Sequence, residues 1–162
     1  MVPVPREQVW AALVDPALIA HLTPFVARIE PTGASVPDGF DPLTGDGRQH
    51  WAWTLSGIAV AGLDFAATFT EEMTFTAPSR LEFRHDPPRG EKERAGVTGW
   101  YALSEHPEGA LLETSLTIRV ELPLPRMSGP VVRRTMGAVV EKMGDRFSAR
   151  LLDHLGVSGT PE

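Results

Sequence analysis

Between Pro130 and Leu155, apolar side chains recur at Val132, Met136, Val139, Val140, Met143, Phe147 and Leu151, the three-and-four spacing of one helix face. Arg134, Glu141, Lys142, Asp145, Arg146 and Asp153 fall on the other side, so the pattern predicts a single long amphipathic helix. Ser128 or Gly129 suits its N-cap, Pro130 its first turn and Gly156 the left-handed position beyond its end. At a rise of about 1.5 Å per residue it runs to about 39 Å, the width of a small domain. Its apolar stripe uses Met136, Met143 and Phe147, and beside it stand Gly137 and Gly144, each less favourable than Ala by roughly 1 kcal/mol. Either another backbone approaches closely there or the methionines are filler, or the stripe is the adaptable wall of a cavity.

Upstream of that helix the period is two. A strand over Arg48 to Leu55 puts Trp51, Trp53 and Leu55 on one face and His50, Ala52 and Thr54 on the other. A turn at Ser56-Gly57 or around Gly62 leads into Leu63 to Phe75, whose alternate positions read Leu63, Phe65, Ala67, Phe69, Glu71, Met73 and Phe75. After Ala77-Pro78-Ser79 the alternation resumes with Leu81, Phe83 and His85, and after Asp86 to Gly90 with Val97, Gly99, Tyr101 and Leu103. Pro107-Glu108-Gly109 then turns the chain into Ala110 to Glu121, with Leu112, Thr114, Leu116, Ile118 and Val120 on one side. Strands joined by short turns form an antiparallel meander with one apolar face.

The first residues are more broken. Met1 to Val4 leaves room for a strand stub only, because Pro3 and Pro5 interrupt it. A helix from Pro5 ends at Asp15-Pro16, Asp15 caps a second one over Pro16 to Leu22, and a strand follows over Phe25 to Glu30. Pro31 to Gly47 is a long Pro, Gly and Asp segment, expected to be either disordered or a solvated loop, or else a lid over a site. Its acidic residues lack calcium-loop spacing, and Gly45-Asp46-Gly47 is no dinucleotide fingerprint. The predicted fold is therefore α+β: a curved antiparallel sheet of six to seven strands wrapped around the C-terminal helix, with two short helices near the N-terminus. Residues 1–156 are expected to form one domain, with 157–162 a short tail.

Composition narrows the function more than the fold. A net charge of −6 over 162 residues disfavours a nucleic-acid binder, and without a long apolar run no stable membrane insertion is expected. No cysteine means no disulfide, thiol nucleophile or cysteine metal site. The histidines, at 21, 50, 85, 106 and 154, show no zinc spacing, and no Ser stands in a Gly-x-Ser-x-Gly elbow, so neither a metal nor another cofactor is expected. A cytoplasmic, soluble protein is the default expectation.

If the aromatic face of the sheet is concave, a binding site can be drawn directly. It comprises Trp51, Trp53, Phe65, Phe69, Glu71, Met73, Phe83, Tyr101 and Thr114 from the strands, with Met136, Met143 and Phe147 from the helix. Glu71, His85 and Tyr101 are the candidates for chemistry: a carboxyl in an apolar cavity keeps its proton, a histidine shuttles one near neutral pH, and a buried tyrosine hydroxyl seeks a partner. The plainer alternatives are a rim histidine at 85, and a Glu71 that sits at the sheet rim or pairs with Arg84 or Arg94.

Several stretches resemble a known group. Val4-Pro5-Arg6-Glu7-Gln8-Val9-Trp10-Ala11-Ala12-Leu13-Val14-Asp15-Pro16, Ala77-Pro78-Ser79-Arg80-Leu81-Glu82-Phe83, Gly99-Trp100-Tyr101-Ala102-Leu103 and Leu122-Pro123-Leu124-Pro125 look like the START-like, helix-grip superfamily of polyketide cyclases, pathogenesis-related allergens and lipid-transfer domains. The resemblance implies a seven-stranded sheet gripping the last helix around a cavity for a hydrophobic ligand. The chain departs from it at the start, where a full first strand is replaced by the stub. The leading functional expectation is binding or transport of a small hydrophobic or aromatic molecule, lipid included. An aromatase or polyketide cyclase-type enzyme is the alternative, and a chaperone-activator-like interaction module with a filled interior is a third.

Overall fold

The computed structural model describes residues 1–32, 39–60, 62–122, 125 and 129–157; the Val60 and Phe65 side chains fall outside that description. Helices α1 (Arg6–Leu13) and α2 (Pro16–Leu22) precede strands β1 (Val26–Thr32), β2 (Gly47–Val60), β3 (Leu63–Thr76), β4 (Arg80–His85), β5 (Ala95–His106) and β6 (Gly109–Val120), and helix α3 (Gly129–His154) ends the order. The strands form one six-stranded sheet in chain order, every neighbouring pair antiparallel. The expected stub is there: Val2 bridges Ala110 at the outer edge of β6 through N–H···O bonds of 2.8 Å in each direction. The backbones meet so closely at this point that a side chain on Gly109 would run into the Val2 carbonyl and Pro3.

Local chemistry explains the boundaries. Asp15 caps α2 by accepting the Leu18 N–H at 3.1 Å, with Pro16 in the first turn. Strand β2 runs past the expected turn at Ser56-Gly57, because that pair makes a bulge between Leu55 and Ile58 and returns Ile58 to the interior at 3% exposure. The hairpin closes at the other expected position, Gly62, whose φ is +80°. Helix α3 ends as expected, with Gly156 at φ +72°, its N–H bonded to the Asp153 carbonyl and the Val157 N–H reaching Leu152 at 2.9 Å. The N-cap position Ser128 lies outside the described residues.

The largest cluster of buried side chains joins the two short helices to the sheet. Val9, Trp10 and Leu13 of α1 meet Trp51, Phe75, Leu81, Leu103 and Ala110, all buried. The described part of the long loop packs here too: the Phe40 ring lies 5.7 Å from that of Phe75, and the Pro42 carbonyl accepts the Trp10 indole N–H at 3.0 Å. Asp46 further ties it to the Ala77 N–H at 3.0 Å. No residue of 39–47 lines the cavity described below, so the lid expectation is corrected for that part; residues 33–38 lie outside the described residues. Of the tail, Val157 packs against this core.

Along α3 the predicted stripe is on the inner side and the charged face outside, yet Leu151 is the one residue of the described helix that is fully buried. Val132, Met136, Val139, Val140, Met143 and Phe147 are half-buried. A side chain placed on Gly137 or Gly144 would meet nothing within 4 Å, which overturns close backbone approach as the reason for these glycines. The helix here faces open space.

Candidate functional site

That space is a cavity of about 350 Å³ between the sheet and α3. Of the expected ligand-binding residues, Trp51, Trp53, Phe69, Glu71, Met73, Phe83, Tyr101 and Thr114 line it from the strands, and Met136, Met143 and Phe147 line it from the helix. The Phe65 side chain lies outside the described residues; its backbone pairs with Ile58. Trp53 stacks on Phe69 with centroids 5.7 Å apart and planes at 11°, and Phe83 tilts against Tyr101 at 5.5 Å, so the walls are aromatic and braced. Thr114 is exposed and donates to the Trp100 carbonyl at 3.1 Å. With Leu116 at 40% exposure and Gly144 and Ser148 of α3 also exposed, the cavity opens to solvent between β6 and α3.

Some of the wall escaped the sequence reading. Leu13, Ile19 and Thr23 close one end from α1 and α2, while Ile58, Ala95 and Val97 extend the other. Ala95 and Val97 obey the alternation already traced for their strand, whereas Ile58 is out of phase with Trp51, Trp53 and Leu55 and faces inward only because of the bulge before it. Nothing in the pattern of the two short helices says which side chains point at the sheet.

Glu71 is the centre of the chemistry. It is 2% exposed, with Phe69 and Met73 flanking it on the same face of β3. The expected alternatives of a rim position or a pair with Arg84 or Arg94 do not occur: Arg84 holds the outward-facing Glu72 at 2.9 Å. Burial without a counter-cation pushes the Glu71 pKa up to about 8, against which the neighbouring Trp53 indole acts weakly in favour of the anion. Neither Glu71 Oε2 nor Trp53 Nε1 completes a hydrogen bond. Tyr101 is pushed up to about 12, by burial first and by the nearby Glu71 carboxyl second, so its hydroxyl stays protonated. At neutral pH the cavity therefore presents an uncharged acid and an uncharged phenol.

His85 is corrected as a cavity residue. It ends β4 opposite Glu71 in register, but its Nε2 lies 2.9 Å from Glu93, and it is absent from the cavity lining. Glu93 also accepts the Thr70 N–H at 2.8 Å and the Thr70 hydroxyl at 2.7 Å, so it bolts the loop after β4 onto the sheet and draws the imidazole with it. A second grouping, which the sequence reading missed, lies where β2, β3 and the end of β4 meet: His50, Glu72 and Asp86 place ligand-type atoms within 4.8 Å of one another. Their spacing in sequence carries no signal because three separate segments supply them. His50 is hydrogen-bonded to Asp86 at 2.9 Å and Glu72 is held by Arg84, so each of the three already has a side-chain partner. The Asp86 pKa is lowered, first by its bond to His50.

The family described as polyketide cyclase / dehydrase and lipid transport matches residues 1–156. Among solved structures, the fold is similar to the Zhui aromatase/cyclase from Streptomyces sp. R1128, at 17% identity and TM-score 0.65, over 94% of this chain and 87% of that one. It is also similar to a conserved protein from Geobacillus kaustophilus, at 16% identity and TM-score 0.66, over 97% and 91% of the two chains. Ara h 8.0201 aligns at 14% identity and TM-score 0.51, over 94% and 93%. No curated protein matches the sequence. At these identities the structural likenesses establish the fold. Among the described residues no helix is long and apolar enough to cross a membrane.

Proposed function

The chain belongs to the polyketide cyclase / dehydrase and lipid transport family, and on that premise we propose that it binds a small hydrophobic or aromatic molecule between the sheet and α3. The observation that carries this reading is the cavity of about 350 Å³, within the size range of small-molecule sites and walled almost wholly by apolar and aromatic side chains. Its thioethers at Met136 and Met143 adapt to the shape of a guest. A filled interior, which an interaction module of the third kind requires, is not what the chain has.

Native mass spectrometry of protein purified from its own host tests the proposal, alongside titration with the neutral probe N-phenylnaphthylamine. The expected results are a co-purifying small molecule or saturable probe binding that quenches Trp51 and Trp53. Absence of both sinks the reading.

A cyclase-type enzyme is the second reading, favoured by one observation: the carboxyl of Glu71 is buried, has one oxygen without a partner, and is poised near pH 8 close to the Tyr101 side chain. An acid of that kind donates a proton to a carbonyl oxygen and takes one back from the adjacent carbon, while the walls hold a flexible poly-carbonyl chain in one folded shape. Turnover lost in Glu71→Gln with binding retained supports it; turnover unaffected refutes it.

A further inference from the structure

The polar groups of the cavity define what sort of guest it accepts. Among the described residues, no Lys, Arg or His lines it. The charged helix residues Arg134, Glu141, Lys142, Asp145 and Arg146 lie exposed on the far face of α3, and His85 is held by Glu93. What the interior does offer is a buried carboxyl whose Oε2 lacks a partner, the indole N–H of Trp53 turned toward that carboxyl without completing a bond to it, and the Tyr101 hydroxyl close enough to sense the Glu71 charge. A protonated carboxyl, an indole and a phenol are all hydrogen-bond donors, and the indole can do nothing else. Leaving a buried polar group without a partner is unfavourable, and an arriving acceptor removes that penalty.

We infer that the cavity selects an uncharged ligand carrying a carbonyl oxygen, which docks against Glu71, Trp53 and Tyr101, and that it turns away the carboxylate of a fatty acid. The inference rests on the cavity being a ligand site, as proposed above, and adds the charge state and the polar group of the guest. A carboxylate entering this interior gives up its water and finds no cation in return, and it faces the carboxyl of Glu71 as well. A purely apolar guest fits but leaves the donors unanswered. Sites built to hydrogen-bond a ligand group discriminate strongly against analogues without it.

A matched set of bicyclic probes tests this by quenching of Trp51 and Trp53 and by calorimetry near pH 6: acetylnaphthalene, ethylnaphthalene, naphthoate and naphthylethylamine. Acetylnaphthalene is expected to bind roughly tenfold or more tightly than ethylnaphthalene, and naphthoate more weakly than both. Glu71→Gln, whose amide still donates, keeps most of the ketone preference; Glu71→Leu removes it while retaining ethylnaphthalene, which shows that the cavity itself persists. The ketone preference also declines as pH rises through about 8, where Glu71 gives up its proton. Equal binding of ketone and hydrocarbon, or naphthoate binding as well as the ketone, overturns the selectivity and leaves the binding reading intact. Tightest binding by the amine overturns it in favour of an ionised Glu71. If no member of the set binds, both the selectivity and the binding reading fail.

Discussion

The two ends of α3 make opposite use of the same amphipathic pattern. Toward its C-terminus Leu151 is buried at 3% exposure with Ala12 and Leu22, and Phe147 and Leu155 pack around them, so the helix is moored to α1 and α2. Toward its N-terminus Val132, Met136 and Val139 touch a small cluster around Ile58, Phe69 and Ala95 and remain half-buried, Met136 and Val139 lining the cavity. The same apolar spacing thus builds a core at one end and a wall at the other. What separates them is whether another element fills the space opposite.

Substitutions can break that contrast. Leu151→Ala, at the moored end, is expected to lower stability by about 3 kcal/mol in denaturant unfolding, as buried Leu truncations do. Met136→Ala removes a side chain that faces open space and is expected to lose roughly 1 kcal/mol or less. Equal losses at the two positions would show the cavity to be tightly packed after all.

Glu71 sharpens the contrast through pH. Its folded-state pKa, about 8, lies above the ordinary carboxyl value of 4.5, so the folded protein binds the proton more tightly than the unfolded chain does. That contribution is complete below about 4.5 and is lost as pH rises to about 8, by an amount on the order of 3 kcal/mol between pH 5 and 8. Unfolding midpoints of wild type and Glu71→Gln measured across this window should differ in slope, the wild type falling more steeply. Parallel curves would place Glu71 in contact with water or a cation.

The smallest expected effect is at Gly144, which lines the cavity and has room for a side chain. Gly144→Ala should gain about 1 kcal/mol of helix stability. The added methyl narrows the cavity, so probe affinity falls while the melting temperature rises. A fall in both would mean that the added Cβ strains the packing.

How far the sequence reached follows from which interactions are periodic. The alternation through Phe69, Glu71 and Met73 was enough to put a carboxyl inside, since a strand has only two faces and both neighbours voted for the inner one. The caps at Asp15 and Gly156 were legible for a similar reason, each being satisfied within its own few residues. His85 obeys the same alternation as Phe83, yet Glu93 holds it away from the cavity, and no local rule announces a loop contact of that kind. The Ser56-Gly57 bulge reads like a turn until the strand beyond it is seen to keep its pairing. Gly144 posed a question that composition alone left with two answers, and only the empty volume beside it chose between them.

The Val2 bridge has a consequence of its own. It covers the outer side of β6 at Ala110 and, among the described residues, no strand continues that cover toward Val120. Among the described residues, alternate backbone amides along this margin have no neighbouring strand to pair with. Within that described part, the ribbon framing the mouth of the cavity is an unsealed seam, paired with a strand on one side only.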